Sequence, residues 1–489
     1  MNKRLIRLVA FYCVAFALLL LGYLEGNAQN SQPTISGKRD REKFDFSWQF
    51  HKGDIAMKRV VKAGGQGGLT DINVKIISKG DTTIDYSNVE SAKIFFPHDW
   101  KEVNLPHDWA VEGTFVHDNN LGSQPAGSGY LPTGIGFYRK EFEIPDEDKG
   151  EKISIEFDGI FRNSTVWVNG HLLGNHPSGY TPSNYDLTDV LRYGNEGKNA
   201  ILVKVDATQP EGWWYEGAGI YRHVWLIKTD RLHVARFGTY VTTPTVSDAE
   251  STVNIQTTLK NEYKTAINVT LVSKIIDSKG NLLDTKTSTQ TIAPYYPVEI
   301  SQTGSIQKPL LWSPETPNLY RVITEVSKEG NVVDTYETTF GVRAFEINRN
   351  GVFLNGRLYP VEGTCNHQDF AGIGVALPDK INWYKLKLLK EMGSNGYRPS
   401  HHPPTPELLD MCDSMGMLVL DENRHLSSSE ENLKDLETML YRDRNHPSIF
   451  IWSMENEEAI QGTVTGASIL ETMVETTHRL TQRVKLPRP

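Results

Sequence analysis

The sequence is poor in cysteine, in basic clusters and in long apolar runs, and each shortage excludes something. Three cysteines in 489 residues are too few for a disulfide framework. Cys13 lies in the first 28 residues, so only Cys365 and Cys412 would remain in a processed chain, and neither a metal site nor a structural bridge is expected from them. Lys and Arg number 51 against 60 Asp and Glu, for a net charge of −9. No basic block stands out, which argues against a nucleic-acid partner held by phosphate neutralisation. No His-Glu-x-x-His or similar spacing occurs, so catalytic zinc is not expected. The apolar run Leu8 to Leu21 is shorter than the ~20 residues that a membrane span needs. It follows Lys3, Arg4 and Arg7 and precedes Gly26-Asn27-Ala28, the pattern of a secretory signal (1–28) cut after Ala28. Export to the periplasm or the exterior is expected, with a fold that relies on packing rather than staples.

What is present points to several packed domains. Hydrophobic residues make up 38% and aromatic residues 10%, enough to bury several cores and to exclude a mostly disordered chain. The length predicts two to four domains. Residues 40–230 read as short alternating strands bounded by Gly, Asn, Asp or Pro, such as Gly136–Phe142, Ile153–Phe157 and Ser164–Val168. Val168-Asn169-Gly170-His171 is a hairpin signal, because Asn-Gly accepts the positive φ of a tight turn. This region predicts a sandwich or jelly roll, with a polar insertion around Gly64–Gly68 and Asp71–Glu90. Residues 231–343 continue as strands with fewer aromatics and predict an immunoglobulin-like β-sandwich.

From residue 344 the period changes. Strand-like pieces (Leu358–Gly363, Ser394–Arg398, Met417–Asp421, Ser448–Ser453) alternate with helical stretches (Lys380–Met392, Pro406–Met415, Ser429–Arg442, Ala467–Thr481). Ile381, Tyr384, Leu388 and Met392 fit one helical face, and Gly416 reads as a helix stop. Four βα units predict a parallel sheet, either open or closed as a barrel. A full eight-unit barrel takes about 250 residues, so 344–489 is read as its N-terminal half. Polar residues collect after each strand: Asn366, His367 and Asp369; Arg398, His401 and His402; Asp421, Glu422 and Arg424; Glu455 to Glu458. In a barrel this rim carries catalysis. Carboxylates mixed with His, Arg and Asn suit glycoside hydrolysis, in which one carboxylic acid protonates the leaving oxygen and a second carboxylate attacks or activates water.

These residues resemble the family 2 glycoside hydrolases, the group of β-galactosidases, β-glucuronidases and β-mannosidases. One motif runs from Asn395 through Arg398, Ser400, His401 and Pro403 to Asp413 and Gly416–Leu420, departing at Pro399 and at His402. The other, Asp443 to Glu457, fits throughout. Leu105–Trp109, Phe137–Arg139 and Gly217–Arg222 look like the family's sugar-binding jelly roll. The resemblance implies that Glu457 is the general acid/base, that Asn456 bonds the sugar 2-hydroxyl, that His367 and His401 contact sugar hydroxyls and that Arg398 orients the nucleophile. It implies that Asp108 reaches the non-reducing sugar and that Glu422 lines the pocket. Glu422, Glu455 and Glu458 nearby would favour the protonated acid at Glu457. No cofactor is expected. The stretch after the third strand, Asn423 to Ser428, has His425 but no Glu, so the Glu and His ligand pair with which some members hold magnesium is not there and no metal is expected. The family's nucleophile is a Glu on a later strand, beyond this sequence, which implies a truncated form. The expected activity is that of an exported retaining exo-β-galactosidase. β-Glucuronidase of the same family and a non-catalytic carbohydrate-binding homologue are the alternatives. A carbohydrate is the expected partner, and a homo-oligomer stays open.

Overall fold

The computed structural model describes residues 39–60, 73–77, 99–116, 131–209 and 211–481. The signal segment, and most of the polar insertion, lie outside them. Of the insertion, Asn73–Ile77 pairs antiparallel with Ala56–Val60.

The first layer pair is a jelly-roll sandwich. Asp40–Lys43, Val224–Thr229, Lys152–Phe157 and Ser183–Asp186 form a four-stranded sheet, in that order. The six-stranded sheet runs His171–His176, Ser164–Val168, Asn199–Ala207, Gly134–Phe142, Trp48–Lys52 and Lys101–Val103. Alternating apolar residues from both sheets meet in one core around Trp48, Phe50, Trp109, Tyr138 and Phe157, each worth roughly 2–3 kcal/mol of burial. The expected hairpin is there: Val168 faces His171, with positive φ at Asn169 (51°) and Gly170 (84°).

The second sandwich packs Leu232–Val246, Glu250–Asn261 and Val298–Gln307 against Leu282–Ile292, Ile267–Ile276, Tyr320–Lys328 and Asn331–Phe340. Glu250–Asn261 alternates buried and less buried residues almost without a break, as expected of a strand that covers a core on one face.

Four βα units follow. Strand β1 (Gly363–Asn366), helix α1 (Asp379–Glu391), β2 (Gly396–Pro399), α2 (Pro406–Met415), β3 (Leu418–Glu422), α3 (Glu430–Asp443), β4 (Ile449–Ser453) and α4 (Val464–Thr481) alternate, and the strands form one parallel sheet in the order β1-β2-β3-β4. Gly416 ends α2 at φ 74°. A Cβ there would meet the Pro314 carbonyl at 2.2 Å, so the stop is also a contact with the second sandwich.

Two expectations need correction. The first barrel strand is Gly363–Asn366, whereas Arg357–Leu358 belongs to an antiparallel ladder with Phe353–Leu354. Pro360 has no amide hydrogen to contribute to a ladder, which separates the two. On α1, Tyr384, Leu388 and Met392 are exposed, and Leu386 and Asn382 are the buried residues. The helix has apolar side chains on two faces, and the described residues cover only one.

Much of the long second motif holds domains together. Asn445 accepts from the Val241 amide (2.9 Å) and donates to the Thr239 carbonyl (2.8 Å), pinning the barrel to the second sandwich. Asp413 accepts from the Ser448 amide (3.0 Å) and pairs with His446 (2.6 Å). Between jelly roll and barrel, His223 bonds Asp45 (2.7 Å) and Asp379 (3.2 Å). Burial disfavours its charge, but the bonds to Asp379 and Asp45 outweigh that and hold it at about 10. His446 is partly buried, which also disfavours its charge, and Asp413 holds it at about 9. Both values lie above the 6.5 of a free imidazole. Their stabilisation is therefore complete below pH 6.5 and disappears as pH rises through 9 and 10. The melting temperature should fall across that alkaline window, and His223→Gln should flatten the fall. A melting curve indifferent to pH between 6.5 and 10 would contradict these ion pairs.

Candidate active site

The rim of the barrel is organised around Glu422, the last residue of β3. Its side chain has no exposed surface. Burying a carboxylate without partners is costly, and three hydrogen bonds answer that cost. Arg398 Nε donates to Oε2 at 2.6 Å, Ser453 Oγ donates to the same oxygen at 3.0 Å, and His401 Nδ1 meets Oε1 at 2.7 Å. Parallel pairing places these residues at one level: Glu422 lies beside Ser453 in the β3–β4 ladder. A carboxylate only accepts, so His401 Nδ1 carries the proton and donates it. Burial lowers the proton affinity of His401, against the pull of Glu422. The ring is therefore neutral near pH 7, with its Nε2 lone pair free to accept.

Arg398 carries the chain further. Its Nη2 donates to Asn456 Oδ1 at 2.8 Å, which turns the two Nδ2 hydrogens of Asn456 toward other acceptors. Asn456 is buried, and the next residue, Glu457, is exposed. Among the described residues no hydrogen bond or ion pair engages Glu457. Its φ is 52°, a left-handed conformation that a non-glycine residue adopts at a cost of about 1 kcal/mol or more.

The expected crowd of free carboxylates around Glu457 does not form. Glu422 is neutralised as described. Glu458 pairs with Arg424 at 3.0 Å, and Glu455 accepts from the Glu458 amide at 3.2 Å.

Asp108 differs from expectation. It is buried and accepts from the amides of Ala110 (3.0 Å), Ala218 (3.0 Å) and Val375 (3.1 Å) and from Tyr215 Oη (2.7 Å). Burial raises its proton affinity and these donors oppose the rise. With its lone pairs taken, Asp108 fastens the jelly roll to the loop after β1 and does not face open space.

His367 is exposed and its ring stacks on Trp214, at 5.7 Å between centroids. Trp214 also meets His401 edge-on at 5.3 Å. His402 is buried and lies flat on Tyr180 at 4.2 Å, held neutral by burial. It is a packing residue. Sequence reasoning missed Ser453 and Trp214. The tryptophan pair at 213–214 in a Gly-rich stretch was the available signal for the second.

No cation site forms at the rim among the described residues. Two groups elsewhere bring histidine and carboxylates together, His223/Asp379/Glu407 and Asp410/Asp413/His446. In both, carboxylates hold the histidine protonated, which opposes metal ligation. A cavity of about 30 Å³ beside His223 and His402 has room for water but not for a sugar.

Comparison with known proteins agrees with this geometry. Residues 84–230 match the sugar-binding domain of glycosyl hydrolases family 2, residues 233–343 match the family's central model and residues 345–483 its TIM barrel domain. The chain belongs to glycosyl hydrolase family 2. A β-galactosidase of Bacteroides ovatus is 38% identical over 87% of this chain. A protein of Formosa agariphila named as a putative β-glucuronidase is 35% identical over 73%. The chain spans 48% of the former's length and 35% of the latter's. A family 2 crystal structure from Bacteroides cellulosilyticus matches with a TM-score of 0.76 at 32% identity, covering 91% of this chain and 56% of that one. The three-part architecture of jelly roll, immunoglobulin-like sandwich and barrel units is thus the family's own.

Removing Arg398 should strand Glu422 in the interior, so Arg398→Ala should cost roughly 3 kcal/mol. Glu457→Gln touches an exposed, unpaired group and should cost under about 0.5 kcal/mol. Denaturant unfolding of the barrel compares them, and equal losses would contradict the arrangement.

Proposed function

We propose that this chain carries the sugar-binding and proton-donating part of an exported, retaining exo-β-glycosidase that acts on terminal β-galactosides. The observation that carries the reading is the continuous chain His401–Glu422–Arg398–Asn456 beside an exposed carboxyl at Glu457. His401 Nε2 accepts from a sugar hydroxyl, Asn456 Nδ2 donates to the 2-hydroxyl, and Glu457 gives its proton to the leaving oxygen. A second carboxylate then holds the sugar as a glycosyl ester. Water, deprotonated by Glu457, releases it with retained configuration. By the family resemblance the attack on the anomeric carbon belongs to a Glu on a later barrel strand, and Glu422, Glu455 and Glu458 each bond another group. Export rests on the basic, apolar and small-residue order at the start.

Galactose is preferred to glucuronate in this reading because of how the arginines at the rim are paired. A glucuronide brings its own carboxylate and needs a cation with bonding capacity to spare. Arg398 is matched to Glu422 and Arg424 to Glu458. Lys385 donates to the carbonyls of His367 (2.8 Å) and Asp369 (3.2 Å). Lys385 meets only neutral carbonyls, so the support for a neutral sugar is the pairing of the two arginines and the Bacteroides ovatus relative.

Turnover of aryl β-galactoside and aryl β-glucuronide tests the reading, measured on a chain extended to the length of its relatives so that the second carboxylate is supplied. Release from the galactoside, lowered about 10²–10⁴-fold by Glu457→Gln, is expected. Release of glucuronic acid alone would replace the sugar. Galactose binding without turnover would replace hydrolysis by a carbohydrate-binding role.

A further inference from the structure

Ten tryptophans occur in the chain, and two of them, Trp213 and Trp383, are exposed, each at 47%. Trp383 belongs to the outer surface of α1, beside Tyr384. Trp213 is a different case, because it stands on a loop whose backbone is clamped on both sides.

The clamps are specific. Glu211 pairs with Arg162 at 2.6 Å, and its carbonyl accepts from Arg424. Glu216 accepts from the Glu211 amide at 2.8 Å and from Tyr180 Oη at 2.7 Å. Tyr215 donates to Asp108. Trp214 is buried against His367 and His401, with the Arg424 guanidinium 4.8 Å over its ring. Trp213 stands edge-on to Trp214, at 5.6 Å and 71°.

A large aromatic face held in water by a fixed loop loses the burial that tryptophan ordinarily gains. It also needs no ordering when a ligand arrives, so a ring that covers it gains most of the contact energy. The matching ligand surface is a flat ring with apolar C–H faces and hydroxyls around its edge, which is the shape of a pyranose. Trp213 is two ring-to-ring contacts from His401, with Trp214 between them. We propose that Trp213 is the stacking platform for a second sugar ring, so that the ligand is a saccharide of at least two residues. This rests on the exo-glycosidase reading. In an exo-acting enzyme only the leaving-group side extends out of the pocket, and Trp213 therefore forms the leaving-group subsite.

The test compares one ring with two. Methyl β-galactoside and sulfur-linked lactose, which resists hydrolysis, are titrated calorimetrically into the whole chain and into Trp213→Ala and Trp213→Phe. The expected result is about tenfold tighter binding of the two-ring ligand to the parent. Trp213→Ala should abolish that advantage and leave methyl β-galactoside unaffected, and Trp213→Phe should keep most of it. If both ligands bind the parent equally, or Trp213→Ala weakens both alike, the platform is wrong and the glycosidase reading stands. If neither ligand binds the parent, the reading beneath it fails and the platform falls with it.

Discussion

A carboxylate with no exposed surface lies at the centre of the pocket, and the rest of the site follows from satisfying it. Glu422 can be buried because Arg398, His401 and Ser453 each give it a hydrogen bond. Those bonds fix more than Glu422. They settle which nitrogen of His401 carries the proton, and they point Arg398 at Asn456. The polar atoms left over, His401 Nε2 and Asn456 Nδ2, are the ones available to a ligand. Orientation at the rim is thus set one layer below it, by a group that the proposed mechanism does not let touch sugar.

The second constraint is the joining of three domains at one mouth. A rim on a four-stranded parallel sheet would be poorly fixed by its own strands. Here the jelly roll supplies Asp108, Tyr215 and Trp214, and the second sandwich grips Asn445 and the end of α2. Several residues that look catalytic by position, Asp108 and His402 among them, are spent on this joining. Buried in the joins, they position loops, and the exposed groups Glu457 and His367 are left for chemistry.

The sequence was informative where local chemistry decides structure. Period-2 alternation, Asn169-Gly170 and the Gly416 stop each appear where the residues imply, because a turn with positive φ or a half-buried strand leaves a short-range mark. The convergence of polar residues on one rim was legible for the same reason, since each follows a strand. Long-range facts were not. Nothing local marks Glu422 as buried and Arg398 as its counterion, so its neighbours were read as a crowd of like charges. The apolar residues on α1 were read as a core face, because periodicity counts apolar side chains without knowing which of two faces has a neighbour. Asp108 was read as reaching sugar, because sequence shows a carboxylate but not the four donors that surround it.

The most direct measurement is a crystal structure of the chain soaked with isopropyl thio-β-galactoside. The account predicts the sugar ring beside His367, a hydroxyl within hydrogen-bond distance of His401 Nε2, the 2-hydroxyl on Asn456 Nδ2 and the glycosidic sulfur facing the Glu457 carboxyl. Density for the sugar at another place, or at the rim with Glu457 turned away from the anomeric substituent, would contradict it.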